Sequence, residues 1–144
     1  MKRFLIVSVP LALIAAVAAL SASGKATSDM SFVTHQREFA QIDVGKKGFS
    51  VGDSFIFSEQ ISQGGKPVGF DHVICTHAAD WPRSAEHCSG TITLGAEQLA
   101  LEGDARRGPF TIAVVGGTGR YAGARGTADI ASHGSSGTLK IHLS

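Results

Sequence analysis

The 144-residue chain is 43% hydrophobic and 17% charged, which is too apolar for disorder and long enough for a single core. Its formal net charge is +1, and once Lys2 and Arg3 are set aside 11 of its 13 basic residues face 12 acidic ones. That balance excludes a basic field for nucleic acid and directs attention to a small molecule or another protein as partner.

In chain order, the first segment has the pattern of a targeting sequence. Lys2 and Arg3 precede an uncharged apolar run from Phe4 to Leu20, and small residues follow from Ser21 to Ala26. The expectation is a signal peptide over residues 1–26, cleaved near 23–26, ahead of one domain over residues 27–144. No second long apolar run follows, so no membrane partner is expected after cleavage, and secretion is the expected destination.

Beyond the leader, apolar residues do not recur at helical spacing. Short runs rich in Val, Ile, Phe and Thr recur instead, bounded by Gly, Pro, Asp or Ser, and they predict eight strands. These cover residues 32–44, 53–62, 66–76, 86–94, 97–101, 110–115, 125–133 and 138–143. Gln63-Gly64-Gly65-Lys66 and Gly134-Ser135-Ser136-Gly137 read as hairpin turns, and Gly95-Ala96 joins two more strands tightly. The longer connection, residues 76–85, carries Trp81 and Pro82. Eight antiparallel neighbours leave exposed edges unless the sheet closes, so a small barrel is expected, with a two-sheet sandwich as the alternative.

Cys75 and Cys88 are the only cysteines, and in an oxidising compartment a lone pair reads as one disulfide. Zinc is the competing use, with His77 and His87 beside the two thiols. His87 and Cys88 are adjacent, however, and adjacent residues of a strand point to opposite faces, so no metal site is expected. His133 with Ser135 and Ser136 has no nucleophile elbow and reads as a polar turn. The run Val114 to Gly126 holds five glycines, yet Gly117, Gly119 and Gly123 miss the dinucleotide fingerprint, and no Lys-Ser/Thr pair follows for a P-loop.

Four stretches taken together carry a family likeness. They are Ser50-Val51-Gly52-Asp53-Ser54-Phe55-Ile56-Phe57, Gly69-Phe70-Asp71-His72-Val73-Ile74-Cys75, Gly90-Thr91-Ile92-Thr93-Leu94-Gly95, and Val115-Gly116-Gly117-Thr118-Gly119-Arg120-Tyr121-Ala122-Gly123-Ala124-Arg125-Gly126. In this order they resemble the allene oxide cyclase and dirigent protein superfamily, from about Glu38 to Ile130. Gly116, Gly117, Gly119, Tyr121, Arg125 and Gly126 form the specific part of the motif.

The resemblance implies an all-β, closed, eight-stranded antiparallel barrel with an apolar interior that binds a small hydrophobic molecule. Plant members are commonly trimeric, and they cyclise an unstable epoxide or steer coupling of phenoxy radicals. The cyclases line their pocket with a glutamate and an asparagine on the first strand, a proline on the second and a cysteine on the third. Carried over, those positions are Gln41, Asp43, Ile56 and Cys75, and only the cysteine matches, which adds a free pocket thiol to the readings of Cys75. An amide at Gln41 cannot ionise, whereas Asp43, two residues on and on the same strand face, can supply a carboxylate. Asp71 shares a face with Cys75 by parity and is the second candidate acid.

The function expected from these residues is a secreted barrel that binds a small hydrophobic molecule at Gln41, Asp43, Ile56, Asp71 and Cys75 and directs its cyclisation or coupling. Whether it is an enzyme is left open, with Asp43 and Asp71 as candidate catalytic groups and no cofactor implied. A non-catalytic carrier of a lipid or other hydrophobic ligand, and an oligomerising module without ligand, are the alternatives.

Overall fold

A computed structural model describes residues 28–79 and 84–144. The expected leader over residues 1–26, with Trp81 and Pro82, lies outside the described residues. Eight strands follow one another: β1 (Ser28–Ile42), β2 (Ser54–Gln63), β3 (Lys66–Ala79), β4 (Ala85–Leu94), β5 (Glu97–Ala105), β6 (Phe110–Gly117), β7 (Gly126–His133) and β8 (Ser136–Leu143). Each pairs antiparallel with its neighbours in sequence, and β1 pairs with β8 to close the barrel. Closure decides between barrel and sandwich, and it removes the unpaired edges that an open sheet would expose. The eight expected strands are all present, although β1 begins earlier, and β3 and β5 run further, than the sequence pattern indicates.

Alternation within strands sets the inside. On β8, Gly137, Leu139 and Ile141 are buried while Thr138 and Lys140 are exposed, the period of two that a one-faced strand requires. The same alternation on β1 buries Phe32 and Thr34.

One end of the barrel is filled with side chains. Ile61, Ile92, Leu99, Val114, Ala128 and Ile141 are each no more than 1% exposed and pack with Phe32, Leu94 and Leu139 into one cluster. The glycine-rich run closes this end. It leaves β6, forms a single 3-10 turn over Gly119–Tyr121 and buries Tyr121, whose hydroxyl contacts Met30 Sδ at 3.6 Å. Gly119 has φ +57°, and a Cβ there would meet the Glu97 side chain at 2.7 Å, so only glycine fits without strain. Glu97 in turn accepts from the Arg120 backbone N–H at 3.0 Å and pairs with its guanidinium at 2.6 Å. Arg125 donates to the carbonyl oxygens of Val115 and Ala124, which braces the two sides of the turn.

Candidate functional site

The other end of the barrel is not filled. A cavity of about 420 Å³ opens there, walled by Phe39, Phe55, Phe57, Val73, Phe110 and Ile130, with Leu101, Ile112 and Leu139 toward the packed half. Exposed Gln36, Arg106 and Gly134 stand at its outer rim. The size lies within the range of small-molecule pockets, about 300–1,000 Å³.

The Cys75–Cys88 disulfide forms part of the wall, joining directly opposed residues of β3 and β4 with Cα atoms 4.0 Å apart. It consumes both thiols, so neither the free-thiol nor the zinc reading of Cys75 applies. His87 points to the outer surface, between Glu102 at 3.5 Å and Asp104 at 3.2 Å. Among the described residues no cluster of three metal-binding side chains exists.

At the inner part of the cavity two carboxyl groups face one another. Glu59 on β2 and Asp71 on β3 are cross-strand partners, and both line the space. Thr34, buried on β1, donates its hydroxyl to Glu59 Oε1 at 3.1 Å, and the Glu59 backbone N–H donates to Asp71 Oδ1 at 3.1 Å. Burial first, and then the neighbouring negative charge of Glu59, push the Asp71 carboxyl up to about 7. Burial also raises Glu59, and the Thr34 hydroxyl partly offsets that rise by favouring its ionised form. Burial beside a second carboxyl therefore favours the protonated form of Asp71 toward neutral pH.

A local irregularity of the backbone creates this pair. A hairpin counted outward from Gly64-Gly65 pairs Gln63 with Lys66 and Ser62 with Pro67, and the same register continued would set Glu59 against Phe70. A bulge leaves Val68 unpaired and shifts the register, so that Ile61 opposes Gly69 and Glu59 opposes Asp71. Pro67 cannot donate to the ladder, a feature tolerated at bulges and edges. Beside it, a Cβ on Gly69 would lie 2.0 Å from the Thr93 carbonyl oxygen, so β4 can approach β3 there only against glycine.

The rim is aromatic. Phe39 stacks near Phe55 with centroids 6.1 Å apart, Phe49 meets Phe55 at 5.8 Å, and Phe49 lies over the buried His77 ring at 4.1 Å. Phe49 belongs to the loop between β1 and β2, which Asp53 anchors. Its fully buried carboxylate accepts from the backbone N–H groups of Val44 and Ser50, each at 2.8 Å. Those two bonds hold the Asp53 carboxyl below the usual carboxylate range.

The structure brings some of the expected site residues together and separates others. Asp71 and Cys75 line the cavity, on the one face that their parity requires. Gln41, Asp43 and Ile56 do not line it. Gln41 pairs with Phe55 but stands near the end of β1, exposed beyond the cavity wall. Asp43 lies past the end of the strand, where it accepts from the Gly48 N–H at 3.2 Å. Ile56 sits between the inward residues Phe55 and Phe57 and is 41% exposed on the outer face. Glu59 and Thr34 are the polar residues that the motif comparison missed. Pro67 inside a strand was the available signal, since a bulge there changes which residues share a face.

No family model matches the chain, and no curated protein sequence does. Solved structures do match. A pyocyanin demethylase is 30% identical with a TM-score of 0.75, over 81% of this chain and 100% of that one. A pterocarpan synthase dirigent protein is 14% identical with a TM-score of 0.65, over 82% of this chain and 83% of that one. The exo-specific intermolecular Diels–Alderase AbnU is 15% identical with a TM-score of 0.67, over 82% of this chain and 98% of that one. The last two establish a shared fold, whereas the first extends the likeness to sequence over nearly the whole barrel. With its closed eight-stranded barrel and its Gly-Gly-Thr-Gly turn, the chain belongs to the superfamily of dirigent and allene oxide cyclase-like barrels.

Proposed function

We propose that the barrel is a reaction chamber for a small, largely hydrophobic aromatic molecule, and that the Glu59–Asp71 pair moves a proton to or from it during cyclisation, coupling or a related rearrangement. The observation carrying this reading is a carboxyl held at about 7, set against a second carboxyl at the inner end of an aromatic-walled cavity. A group poised near neutrality can serve as either acid or base, and such a group contributes typically about 10²- to 10⁴-fold to a rate. The walls supply the second contribution by holding the reacting atoms in one geometry and excluding water.

The matched proteins bear the names of a demethylase, a dirigent pterocarpan synthase and a Diels–Alderase. Their diversity supports the chamber as the common element, with the reaction set by the groups inside it. The Cys75–Cys88 bridge fits the oxidising compartment that the expected leader would reach. Oligomerisation, as in plant relatives, would leave the chamber within each protomer, because all eight strands of the wall come from one chain.

The test is native mass spectrometry of protein isolated from its producing cells, followed by turnover of the released molecule by wild type and by Asp71→Asn. The expected result is conversion by wild type and a loss of about a hundredfold in Asp71→Asn with binding retained. Release of an unchanged ligand, or equal turnover by the variant, would contradict proton transfer and favour a carrier.

A further inference from the structure

The two ends of the barrel also differ in what they expose. Among the described residues ten large apolar side chains are exposed, and five of them, Phe39, Ile42, Val44, Phe49 and Val51, fall at the end of β1 and in the loop after it. That concentration lies at the cavity mouth, since Phe39 lines the opening and Phe49 meets Phe55 of its wall at 5.8 Å. Lys46 and Lys47 stand exposed in the same loop, and Arg106 and Arg107 stand exposed in the loop between β5 and β6. β1 and β5 are diametrically opposed in the ring, so the two basic pairs flank the mouth from opposite sides. Among the described residues none of these four side chains forms an ion pair, whereas Arg120 at the closed end is paired with Glu97. The carboxylates at the open end sit on or beside the strands: Asp53 is buried, Asp43 accepts from Gly48, Glu86 is half-buried on β4, and Asp104 faces His87. The foot of the β1–β2 loop is fixed to β3, where the Gly52 N–H donates to the His77 carbonyl at 2.9 Å and the His77 N–H to the Asp53 carbonyl at 2.8 Å. Its tip projects, as does that of the β5–β6 loop, for a Cβ at Gly45, Gly48 or Gly108 would meet nothing within 4 Å.

We propose that the barrel docks mouth-first on an anionic lipid surface, with Val44, Phe49 and Val51 brought to the headgroup boundary and Lys46, Lys47, Arg106 and Arg107 set against phosphate groups. Apolar side chains interleaved with lysine suit such a surface, because the apolar groups leave water while the ammonium groups meet negative charge. Lysine is depleted at protein–protein interfaces, so two adjacent lysines among the apolar groups favour lipid over a second protein. The outer strand faces carry exposed His87, Glu102, Asp129 and Lys140, unlike the apolar belt of a spanning barrel, so the contact is with the surface. The sequence expectation of no membrane partner rests on the lack of a second long apolar run, which a surface contact does not need. Docked in this way, the cavity opens toward the lipid, and a hydrophobic molecule enters it without crossing water. That last step rests on the reading of the barrel as a ligand chamber; the docking does not.

Vesicle flotation of the protein isolated from its producing cells tests the docking, with vesicles of phosphatidylcholine alone or of phosphatidylcholine with about one-third phosphatidylglycerol. Each basic residue near an anionic surface contributes about fivefold to affinity. The expected result is binding to the anionic vesicles at least about tenfold stronger than to the neutral ones. Replacing both lysines, Lys46→Gln with Lys47→Gln, is expected to weaken it about twenty-five-fold, and Phe49→Ser about tenfold. Lys66→Gln, in the β2–β3 hairpin at the closed end, is expected to change nothing. The two lysine side chains are exposed and form no ion pair, so their replacement keeps the test valid if Phe49→Ser does not fold. Equal binding to both vesicles, no binding to either, or an equal loss in Lys66→Gln would overturn the proposal. A dimer that comes apart in Phe49→Ser and does not float would assign the patch to a second copy and overturn it as well. None of these outcomes touches the chamber reading, which turnover by Asp71→Asn tests separately.

Discussion

The two ends of the barrel are built from the same eight strands, yet one is solid and the other hollow. At the closed end, Ile61, Leu99 and Ile141 meet in the middle, and Tyr121 covers them from the glycine-rich turn. At the open end, a smaller cluster of Cys75, Cys88 and Ala105, with Phe55, Phe57, Val73 and Phe110 packed against it, borders a cavity that also takes in two carboxyls. Aliphatic packing is therefore concentrated at the end opposite the two carboxyls. Buried carboxyls in a protein of this size are costly unless they share a proton or meet a ligand.

Truncating equivalent side chains separates the two ends most clearly. Ile141→Ala, in the packed end, is expected to cost about 3–5 kcal/mol, the upper part of the range for a buried aliphatic that leaves a new hole. Ile130→Ala, on the cavity wall, is expected to cost about 1–2 kcal/mol, since solvent or ligand space already adjoins it. Urea denaturation of both variants compares the two losses directly, and equal losses would mean that the ends are packed alike. Replacing Cys75 and Cys88 together by serine removes the covalent link between β3 and β4 in the smaller of the two apolar clusters. The expected loss is roughly 3 kcal/mol in the same assay.

Much of the closed end was legible in the sequence. Gly116, Gly117, Gly119, Tyr121, Arg125 and Gly126 announced a structured turn, and that turn closes the barrel with Arg125 bracing it. The eight strands and their order were legible too, because each half-buried strand shows its alternation locally. The site was not, for a reason that lies in register. Asp71 and Cys75 share a strand, so parity alone set them on one face, but Glu59 belongs to the neighbouring strand, and its face depends on the bulge opposite Ile61 and Ser62. A one-residue shift there exchanges inside for outside. Gln41 and Asp43 illustrate the complementary limit, since sharing a strand face with the pocket does not fix how far along the strand the pocket extends.

A smaller effect concerns the acid pair and stability. Asp71 is raised in the folded protein from an ordinary carboxyl value of 3.8 to about 7. The folded state therefore binds more protons than the unfolded chain between those limits, and stability falls as pH rises through that window. Asp71→Asn keeps the acceptor for the Glu59 N–H and removes the titration. It is expected to be more stable than wild type at pH 8 by on the order of 2 kcal/mol, and close to it near pH 4. Stability curves for the two proteins across this range check the sign. At the closed end, Arg125→Met removes the two donations to Val115 and Ala124, and a loss of about 1 kcal/mol is expected because the turn is also held by Glu97 and Arg120.

Under the proposed function, Glu59 and Asp71 share one proton at the inner end of an aromatic chamber. Carbon-13 NMR of the side-chain carboxyl groups, titrated from pH 3 to pH 9 in the unliganded protein, tests it most directly. The expected result is one carboxyl of the pair titrating near 7, with a matching response at the other, and loss of that step in Asp71→Asn. Two independent titrations below pH 5 would contradict it.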